Sequence, residues 1–375
     1  MRLFLILLAL ISFTGFSQEC SHLWQSDLAT GTIGPKGYLG DTHAAYGIQA
    51  FLNDGTKYYV VKGRFPKARF FSVETYEGRK NGAGKSVFDS NIIPDSGSVN
   101  PFTDGVALNA EPRDYTLFIA PEGSPQFGPN QLNFNKRQRY ISFYIRYYVP
   151  SFGAQVTVAD LPQVEAYDLK TRQPTSCSKS WPVENFTNYP QFLGSLSQKP
   201  EGVFSFGQAK WNKGANSAVG KYAEGHSEMR FDEVALIRFK APSFFNSFSG
   251  LGTFNNSAQV RYWSLCEKNF PNNQGLVCLA DYLTPPDKNG YVTVVTGSGE
   301  DIKAEAGRRG YYFMPDMRPK NAVMILFAFR NILPSADFKQ NDQYKGDYNP
   351  QMRICKESEF LEGSCEWWST NQASE

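Results

Sequence analysis

The sequence lacks an excess of charge of either sign, since its 375 residues contain 38 Lys and Arg against 36 Asp and Glu. A chain without a strongly basic surface is a poor partner for nucleic acid, because such binding depends on neutralising many phosphates. Long apolar segments are lacking as well. The apolar run at 3–11 is shorter than the ~20 residues that a membrane-spanning helix needs, and no later segment is apolar enough. We therefore expect no nucleic-acid partner and no transmembrane segment in the mature chain.

The sequence also lacks the familiar catalytic and metal-binding motifs. It contains no H-E-x-x-H, G-x-S-x-G or C-x-x-C spacing. The segment 82–86 reads GAGKS, like the end of a phosphate-binding loop, but that loop requires Gly at the position of Arg79 and a helix afterwards. We interpret 82–86 as a polar hairpin loop, and Asp89, Asp95 and Asp104 as solvated turn residues rather than calcium ligands. The sequence thus predicts no cofactor and no metal.

The first residues are typical of a secretory signal peptide. Arg2 precedes the apolar run 3–11, and Gly15 and Ser17 stand three and one positions before the predicted cut. We predict that 1–17 is removed and that the mature protein is secreted or periplasmic.

Aromatic residues, Gly and Pro are abundant, with 30 Phe, 20 Tyr, 32 Gly and 22 Pro. Aromatic and β-branched runs bounded by turn residues are typical of β-strands. Such runs recur in both halves of the chain. They lie at 57–62, 69–76, 115–120 and 140–149, and at 234–240, 260–265, 291–296 and 322–332.

The two halves of the chain resemble each other. The matched segments are RFFSV at 69–73 with RYWSL at 261–265, YIRYYVPS at 144–151 with AFRNILPS at 328–335, and Tyr115 with Tyr291. Such internal sequence similarity indicates a duplicated supersecondary unit. A strand module with one apolar face must bury that face against another sheet. We predict a mainly β protein of two tandem, duplicated antiparallel β-sandwich (jelly-roll-like) modules with few short helices.

The internal similarity also predicts how the chain is divided into modules. The first β-sandwich module is expected at 18–160, an inter-module segment at 161–230, and the second module at 231–340. The polar tail 341–375 is expected to be held by a disulfide.

Six cysteines remain after removal of the signal peptide, and an even number in an exported chain indicates disulfides. Six cysteines allow 15 pairings. Proximity in sequence favours Cys266 with Cys278 and Cys355 with Cys365, which leaves Cys20 for Cys177. Free core thiols or a metal site are the alternatives.

Three segments carry a resemblance to known proteins: GRFPKARFFS at 63–72, RYYVP at 146–150 and RYWSLC at 261–266. With them, the stretch 41–335 resembles a group of uncharacterised secreted bacterial proteins built from paired β-sandwich modules. The resemblance implies the fold and an envelope location. It implies no catalytic residues, because none is established for that group.

Four arginines occupy matching positions in the two halves. Arg69 and Arg261 begin matching strands, while Arg146 and Arg330 lie inside matching apolar strands, where an unpaired charge is costly. The first interpretation is a structural ion pair within each module. The candidate partners are Asp114, Glu74 and Asp232. The functional alternative places an arginine in a cleft, where its planar guanidinium binds a carboxylate or sulfate.

The candidates for acid-base chemistry are few. His43 follows Asp41 by two residues, so that the carboxylate is near enough to orient the imidazole, and His226 is a second candidate base. The alternative for His43 is a turn or strand edge with no reaction. The candidate acids are Tyr76, Tyr115 and Tyr262.

Two functional hypotheses follow from these residues. In the first, the protein is a non-catalytic binding protein for a glycan or another envelope component, with exposed aromatic side chains as the binding surface. The candidate binding residues are Trp181, Trp211, Trp367 and Trp368. In the alternative, the protein is an enzyme, a lyase or hydrolase acting on a polysaccharide or small molecule at the cleft between the modules. Its candidate residues are His43, Asp41, Arg69, Arg146, Arg261 and Arg330.

Overall fold

The computed structural model describes residues 20, 24, 40–78, 82–150, 161–181, 205–206, 220–247, 250–269, 275–340 and 346–366. The predicted signal peptide 1–17 and the tryptophans at 211, 367 and 368 lie outside the described residues. The described part is mainly β-structure, arranged in four sheets. Its α-helices are α1 (Glu300–Arg308), α2 (Ala336–Gln340) and α3 (Glu357–Glu362).

The first module is a sandwich of two four-stranded sheets. Its strands are β1 (Ala44–Leu52), β2 (Lys57–Arg64), β3 (Ala68–Glu77), β4 (Gly82–Phe88), β5 (Asp114–Pro121), β6 (Gln131–Phe134), β7 (Tyr140–Pro150) and β8 (Gln163–Asp168). The inner sheet has the order β1-β7-β3-β4 and the outer sheet β6-β5-β2-β8. All of these pairs are antiparallel except β5 with β6, which is parallel.

The second module repeats this arrangement. Its strands are β9 (Ser205–Phe206), β10 (Gly220–Glu228), β11 (Glu233–Lys240), β12 (Tyr262–Lys268), β13 (Gly275–Ala280), β14 (Tyr291–Gly297), β15 (Tyr312–Pro315), β16 (Met324–Ile332) and β17 (Gln351–Lys356). The inner sheet has the order β13-β12-β16-β10-β9 and the outer sheet β15-β14-β11-β17, again with one parallel edge pair, β14 with β15. Apart from the short β9, the order matches the first module strand for strand. The predicted fold of two tandem β-sandwiches is confirmed.

Alternation of apolar residues explains the sandwich. On β5, Tyr115, Leu117 and Ile119 are buried in the core of the first module, while the two residues that alternate with them, at 116 and 118, are only partly buried. A strand places successive side chains on opposite faces, so this period of two directs one face to the core. The core of the second module is formed in the same way, around Trp263 and Phe329.

The eight predicted strands are all present, and further strands lie in segments where no strand was predicted. The segment 82–86 is part of β4 and not a hairpin loop. β8 and β10 fall in the predicted inter-module segment 161–230, and each pairs within a module. β17 places part of the tail 341–375 in the outer sheet of the second module. The module boundaries themselves stay a prediction.

One matched pair of residues is out of register. Tyr115 pairs with Gly63 and is buried, whereas Tyr291 pairs with Lys240 and lies at the surface beneath the Arg238 guanidinium. Val292, which pairs with Phe239, lies in the core of the second module as Tyr115 lies in the core of the first, so Val292 is the residue in the equivalent place. The two tyrosines therefore share a residue type and not a position.

The two inner sheets pack against each other and join the modules. A buried cluster contains Tyr46, Phe70 and Tyr148 of the first module with Tyr262 and Ile332 of the second. The rings of Tyr148 and Tyr262 lie 5.2 Å apart. Because both modules supply this cluster, neither can be removed without exposing the other's apolar surface.

Three disulfides link the cysteines in the predicted pairs: Cys266–Cys278 and Cys355–Cys365, which proximity in sequence favoured, and Cys20–Cys177, which was left over. Disulfides of this number are typical of proteins outside the cytoplasm. Among the described residues, no helix has the length and apolar character to cross a membrane.

Candidate functional site

Arg69 and Arg261, the two arginines at the beginning of matching strands, form reciprocal ion pairs between the modules. Arg69 of β3 donates from Nη1 to both carboxylate oxygens of Asp281, at 2.9 and 2.8 Å. Arg261, directly before β12, donates from Nη1 to Asp89 at 2.9 Å. All four side chains are almost fully buried. The prediction of pairs within each module is wrong for these arginines, because each one crosses the interface.

The two aspartates have equivalent surroundings. Asp89 and Asp281 each lie in a short 3-10 helix, and each accepts a hydrogen bond from a backbone N–H, of Phe71 at 3.0 Å and of Trp263 at 3.2 Å. Burial raises the pKa of Asp281 to about 6, although Arg69 opposes the shift. Asp89 is thus a buried partner of an arginine, and its interpretation as a solvated turn residue is wrong.

The pair Arg330–Asp41 also crosses the interface. Nη1 of Arg330 lies 2.7 Å from Oδ2 of Asp41, which precedes β1. The same oxygen accepts hydrogen bonds from the hydroxyls of Ser264 at 2.6 Å and Tyr262 at 3.0 Å. Burial favours the neutral acid, but Arg330, His43 and the hydrogen bonds outweigh it and hold the pKa of Asp41 below its ordinary value. Asp41 therefore binds the segment that precedes β1 of the first module to the second module.

A buried lysine lies beside this pair. Nζ of Lys268 donates to the carbonyl oxygen of Gly40 at 2.6 Å, and the lysine is fully buried. Burial, and then the neighbouring Arg330, lower the pKa of Lys268 well below its ordinary value. The amine still donates a hydrogen bond when neutral, so its place in the network does not depend on a charge.

Arg146 is the arginine that pairs within its own module. Its Nη1 lies 2.5 Å from Oε1 of Glu74, one of the predicted partners, and its Nη2 donates to the Tyr76 hydroxyl. Tyr76 in turn donates to Glu74 at 3.0 Å. The other candidate partners lie elsewhere, since Asp114 contacts Arg64 and Asp232 contacts Lys356 at the surface.

His43 is held by the second module and not by Asp41. Its ring nitrogens lie 3.1 Å from the Tyr282 hydroxyl and 3.0 Å from the carbonyl oxygen of Cys278. The Asp41 carboxylate accepts from the backbone N–H of His43 at 2.8 Å. The predicted orientation of the imidazole by Asp41 is therefore wrong. His226, the second candidate base, is buried on β10.

Asp41, Cys266 and Cys278 place possible metal ligands within 4.8 Å of one another. The two cysteines form a disulfide, so neither offers a thiolate, and Asp41 is bound by Arg330. These residues do not fit a metal ion in the oxidised protein.

Glu267 on β12 has a strongly perturbed carboxyl group. The residue is fully buried and accepts from the backbone N–H of Met317 at 3.1 Å. Burial, with the nearby Asp316, raises the pKa of Glu267 to about 8, and Arg318 opposes the shift. The folded protein thus holds this carboxyl neutral at neutral pH.

Replacing Glu267 with Gln is expected to stabilise the protein in a pH-dependent way. The pKa of Glu267 is 4.5 in the unfolded chain and about 8 in the folded protein. Between these two pH values the carboxyl is neutral when folded and ionised when unfolded. The free energy of unfolding therefore falls as the pH rises through this range. The Tm of the variant should therefore exceed that of the wild type by ~2 °C or more at pH 8.5 and match it at pH 4.5. Glu300→Gln is the exposed control and should change neither value. An equal effect at both pH values would contradict the ionisation argument.

Of the four candidate tryptophans, the structure describes Trp181. Its ring lies 4.4 Å from that of Tyr140, and it packs partly buried on Ile48, Ala50 and Tyr144. Trp211, Trp367 and Trp368 lie outside the described residues.

The outer sheet of the first module carries a row of aromatic side chains that the sequence patterns did not predict. The ring of Tyr58 on β2 stacks on Phe127 at 4.0 Å and on Tyr167 at 5.4 Å, and Phe118 stacks on Phe127 at 6.2 Å. Phe118, Phe127 and Tyr167 are partly exposed. A signal was present in β2, where Tyr58 and Tyr59 are adjacent. Neighbouring aromatic residues occupy both faces of a strand, which indicates a second apolar surface beyond the core.

Polar groups border this aromatic row. The Tyr167 hydroxyl donates to Glu165 at 2.7 Å, and Glu165 is bound by Lys62 at 2.9 Å. Burial and Glu165 raise the pKa of Tyr167 to about 12, so that its hydroxyl stays protonated. The guanidinium of Arg172 lies over the Phe127 ring at 5.6 Å. We call Tyr58, Phe118, Phe127 and Tyr167 the aromatic row.

The corresponding face of the second module is covered. There Ile302 and Ala306 of α1 and Phe360 of α3 are buried against Val234 and Leu236 of β11. The disulfide Cys355–Cys365 lies in the same cluster. The two outer faces therefore differ, although the sheets beneath them share one strand order.

The fold resembles that of a solved bacterial protein described as uncharacterised. An uncharacterised protein from Burkholderia cenocepacia aligns with a TM-score of 0.59 and 11% identity, over 88% of this chain and 80% of that chain. A protein from Vibrio parahaemolyticus aligns with a TM-score of 0.46 and 10% identity, over 84% of this chain and 89% of that chain. No family model matches the sequence, and no curated protein matches it. The first likeness supports the fold of two β-sandwich modules and carries no function.

Proposed function

We propose that the protein is an exported, secreted or periplasmic binding protein whose ligand is a glycan, held on the outer face of the first module. The observation that carries this proposal is the aromatic row, three of whose four rings are partly exposed. Aromatic side chains combine a large apolar surface with little loss of conformational entropy on binding, which is why they are enriched in binding sites.

The polar groups around the row suit the same ligand. A glycan presents apolar C–H faces and many hydroxyls, so its binding requires aromatic contact together with oriented donors and acceptors. Tyr167, Glu165 and Lys62 form a connected chain of such groups at the edge of the row. Because these side chains are already hydrogen-bonded to one another, little side-chain conformational entropy is lost on binding.

The enzyme alternative, a lyase or hydrolase at the cleft between the modules, has weaker support. It requires Asp41, His43 and an arginine to face a common substrate. Instead, Asp41 and Arg330 are buried in one ion pair, and the His43 ring contacts Tyr282 and Cys278. A group committed to a buried pair is not available to bind substrate without a large loss of stability.

Titration calorimetry with soluble xylan, mannan and glucan tests the proposal. We expect one of these polysaccharides to bind, and Tyr167→Ala to weaken its binding by about tenfold, since the loss of an aromatic contact worth about 1.4 kcal/mol changes the affinity by that factor. Tyr291→Ala on the second module is the matched control and should leave the affinity unchanged.

A reducing-end assay on the same mixtures separates binding from catalysis. Binding without product supports the proposal, whereas release of reducing ends or of unsaturated sugars would favour the enzyme alternative. Failure of every polysaccharide to bind would contradict the proposed function.

A further inference from the structure

We infer that Arg172 makes the aromatic row selective for an acidic glycan, one that carries the carboxylate of a uronate. This inference rests on the proposed function and adds the class of ligand and the residue that binds its charged group. It is drawn from the place of the Arg172 guanidinium, which lies against the aromatic row and has no acidic partner among the described residues.

The Arg172 side chain is exposed, and its guanidinium carbon lies 5.6 Å from the centre of the Phe127 ring. Phe127 in turn stacks on Tyr58 at 4.0 Å. Burial raises the pKa of Tyr58, and the positive charge of Arg172 opposes this shift. The cation–π attraction holds the guanidinium at the row, and its planar N–H groups suit two parallel hydrogen bonds to one carboxylate.

Arg172 lies in a tight turn that follows β8. Its φ of 60° is in the left-handed region, which few residues other than Gly adopt, and its N–H donates to the carbonyl oxygen of Asp168 at 2.9 Å. The Asp168 carboxylate accepts from the backbone N–H groups of Lys170 at 3.0 Å and Thr171 at 2.7 Å. The N–H of Asp168 donates to the carbonyl oxygen of Gln173 at 2.9 Å. The backbone at Arg172 is therefore fixed before a ligand binds, which lowers the entropic cost of binding.

Two acidic side chains beside the aromatic row already have cationic partners. Glu165 is bound by Lys62 at 2.9 Å, and Asp54 is bound by Lys57 at 2.9 Å. Each lysine balances one carboxylate, whereas no described residue lies within ion-pair distance of the Arg172 guanidinium. A uronate supplies a counterion to Arg172 and a neutral sugar does not. Such complementarity of charge gives specificity for the acidic glycan.

The second module contains an arginine in a similar place whose donors are occupied. The guanidinium carbon of Arg238 lies 4.5 Å from the centre of the Tyr291 ring on the outer sheet. Its Nη1 donates to the Thr293 hydroxyl at 2.7 Å, and its Nη2 donates to the Asp287 carboxylate at 3.2 Å. Arg238 is thus an arginine on an aromatic ring that already has its carboxylate. The comparison shows which kind of group completes the surroundings of Arg172.

Calorimetry on the full oxidised protein tests the inference with polygalacturonate and alginate, each before and after chemical reduction of its carboxyl groups. Reduction turns every uronate into a neutral sugar of the same chain. We expect at least one acidic polymer to bind ~10-fold or more tightly than its reduced form. Arg172→Gln should remove this preference by weakening the binding of the acidic polymer alone. Arg172→Lys keeps the charge but loses the two-pronged hydrogen bonding, so it should retain only part of the preference.

Arg238→Gln is the matched control, because it removes a guanidinium from an aromatic ring of the other module and should leave the preference unchanged. Since Arg172 is exposed, Arg172→Gln should fold normally, which an unchanged Tm would verify.

The outcomes distinguish this inference from the proposed function. Equal or weaker binding of the acidic polymers, or a preference that survives in Arg172→Gln, would overturn the inferred ligand class while leaving glycan binding in place. An equal loss of preference in Arg238→Gln would do the same, because it would indicate a general effect of charge. Absence of binding to any polysaccharide, acidic or neutral, would overturn the proposed function and this inference together.

Discussion

Replacing Asp281 with Ala is expected to lower the free energy of unfolding by about 3–5 kcal/mol, because it leaves a buried charge without its partner. Arg69 lies across the module interface with a fully buried side chain, and both oxygens of Asp281 accept its hydrogen bonds. Urea denaturation of the wild type and the variant measures the difference. Since the interface is reciprocal, Asp89→Ala should have a comparable effect through Arg261.

An exposed pair provides the control for this experiment. Glu300 and Lys303 lie 3.1 Å apart on α1 with largely exposed side chains, so Glu300→Ala should change the stability by less than ~1 kcal/mol. The double variant Arg69→Met with Asp281→Leu should recover part of the loss, because it removes both buried charges. A loss below ~1 kcal/mol in Asp281→Ala would contradict the assignment of the pair as a structural tie between the modules.

Replacing Asp41 with Ala is expected to destabilise both modules together, also by about 3–5 kcal/mol. The substitution leaves the Arg330 guanidinium without its carboxylate and removes the acceptor of the Ser264 and Tyr262 hydroxyls. Asp41 belongs to the entry of the first module, whereas all three partners belong to the second. Calorimetry should therefore show one unfolding transition in the wild type and one transition, at lower temperature, in the variant.

Thr42→Ala is the matched control for Asp41→Ala, because Thr42 is adjacent and exposed. It should leave the Tm nearly unchanged. If the wild type unfolds in two separate steps, or if the variant lowers only one of two steps, the modules are independent and the anchoring role of Asp41 is wrong.

The reciprocal pairs follow the rule of a two-fold symmetric interface, in which a residue of one partner contacts a second residue of the other and the reverse contact is repeated. Arg69 with Asp281 and Arg261 with Asp89 are such a pair of contacts. The other two matched arginines, Arg146 and Arg330, depart from this symmetry. Arg146 pairs within its module and Arg330 with Asp41, although both occupy equivalent strand positions. The two modules are thus related symmetrically at the ion pairs of Arg69 and Arg261 and asymmetrically at those of Arg146 and Arg330.

Local patterns in the sequence predicted the larger part of the fold. Aromatic and β-branched runs predicted strands such as β3 and β12, because a run of that type fits a half-buried pleated surface. Strands such as β4, with its GAGKS segment, were missed because their residues are small and polar and their pairing comes from the neighbouring strand. The disulfides Cys266–Cys278 and Cys355–Cys365 followed from proximity in the chain, and Cys20–Cys177 was then the pair that remained.

The candidate site was predicted less well, because its features depend on contacts between distant parts of the chain. The need for a partner for Arg69 was apparent from its matched position, but Asp281 is the partner only because the inner sheets pack face to face. The aromatic row contains Tyr58 and Phe118 from predicted strands. Their partial exposure depends on which connection covers the sheet, and a strand pattern carries no information on that.

The β-rich duplicated architecture, the strands with strong alternation, the two short-range disulfides and the requirement that buried arginines be paired could all be predicted from the amino-acid sequence. These properties follow from residue type, spacing and chain proximity, which are local. Three further properties come from packing between distant parts of the chain. The ion pairs of Arg69, Arg261 and Arg330 cross between the modules, and Tyr115 corresponds to Val292 and not to Tyr291. The helices α1 and α3 cover one outer face, whereas the other outer face stays partly exposed. Those properties depend on how sheets and helices pack at long range, where the partner of a charge or of an apolar face is set by the whole fold.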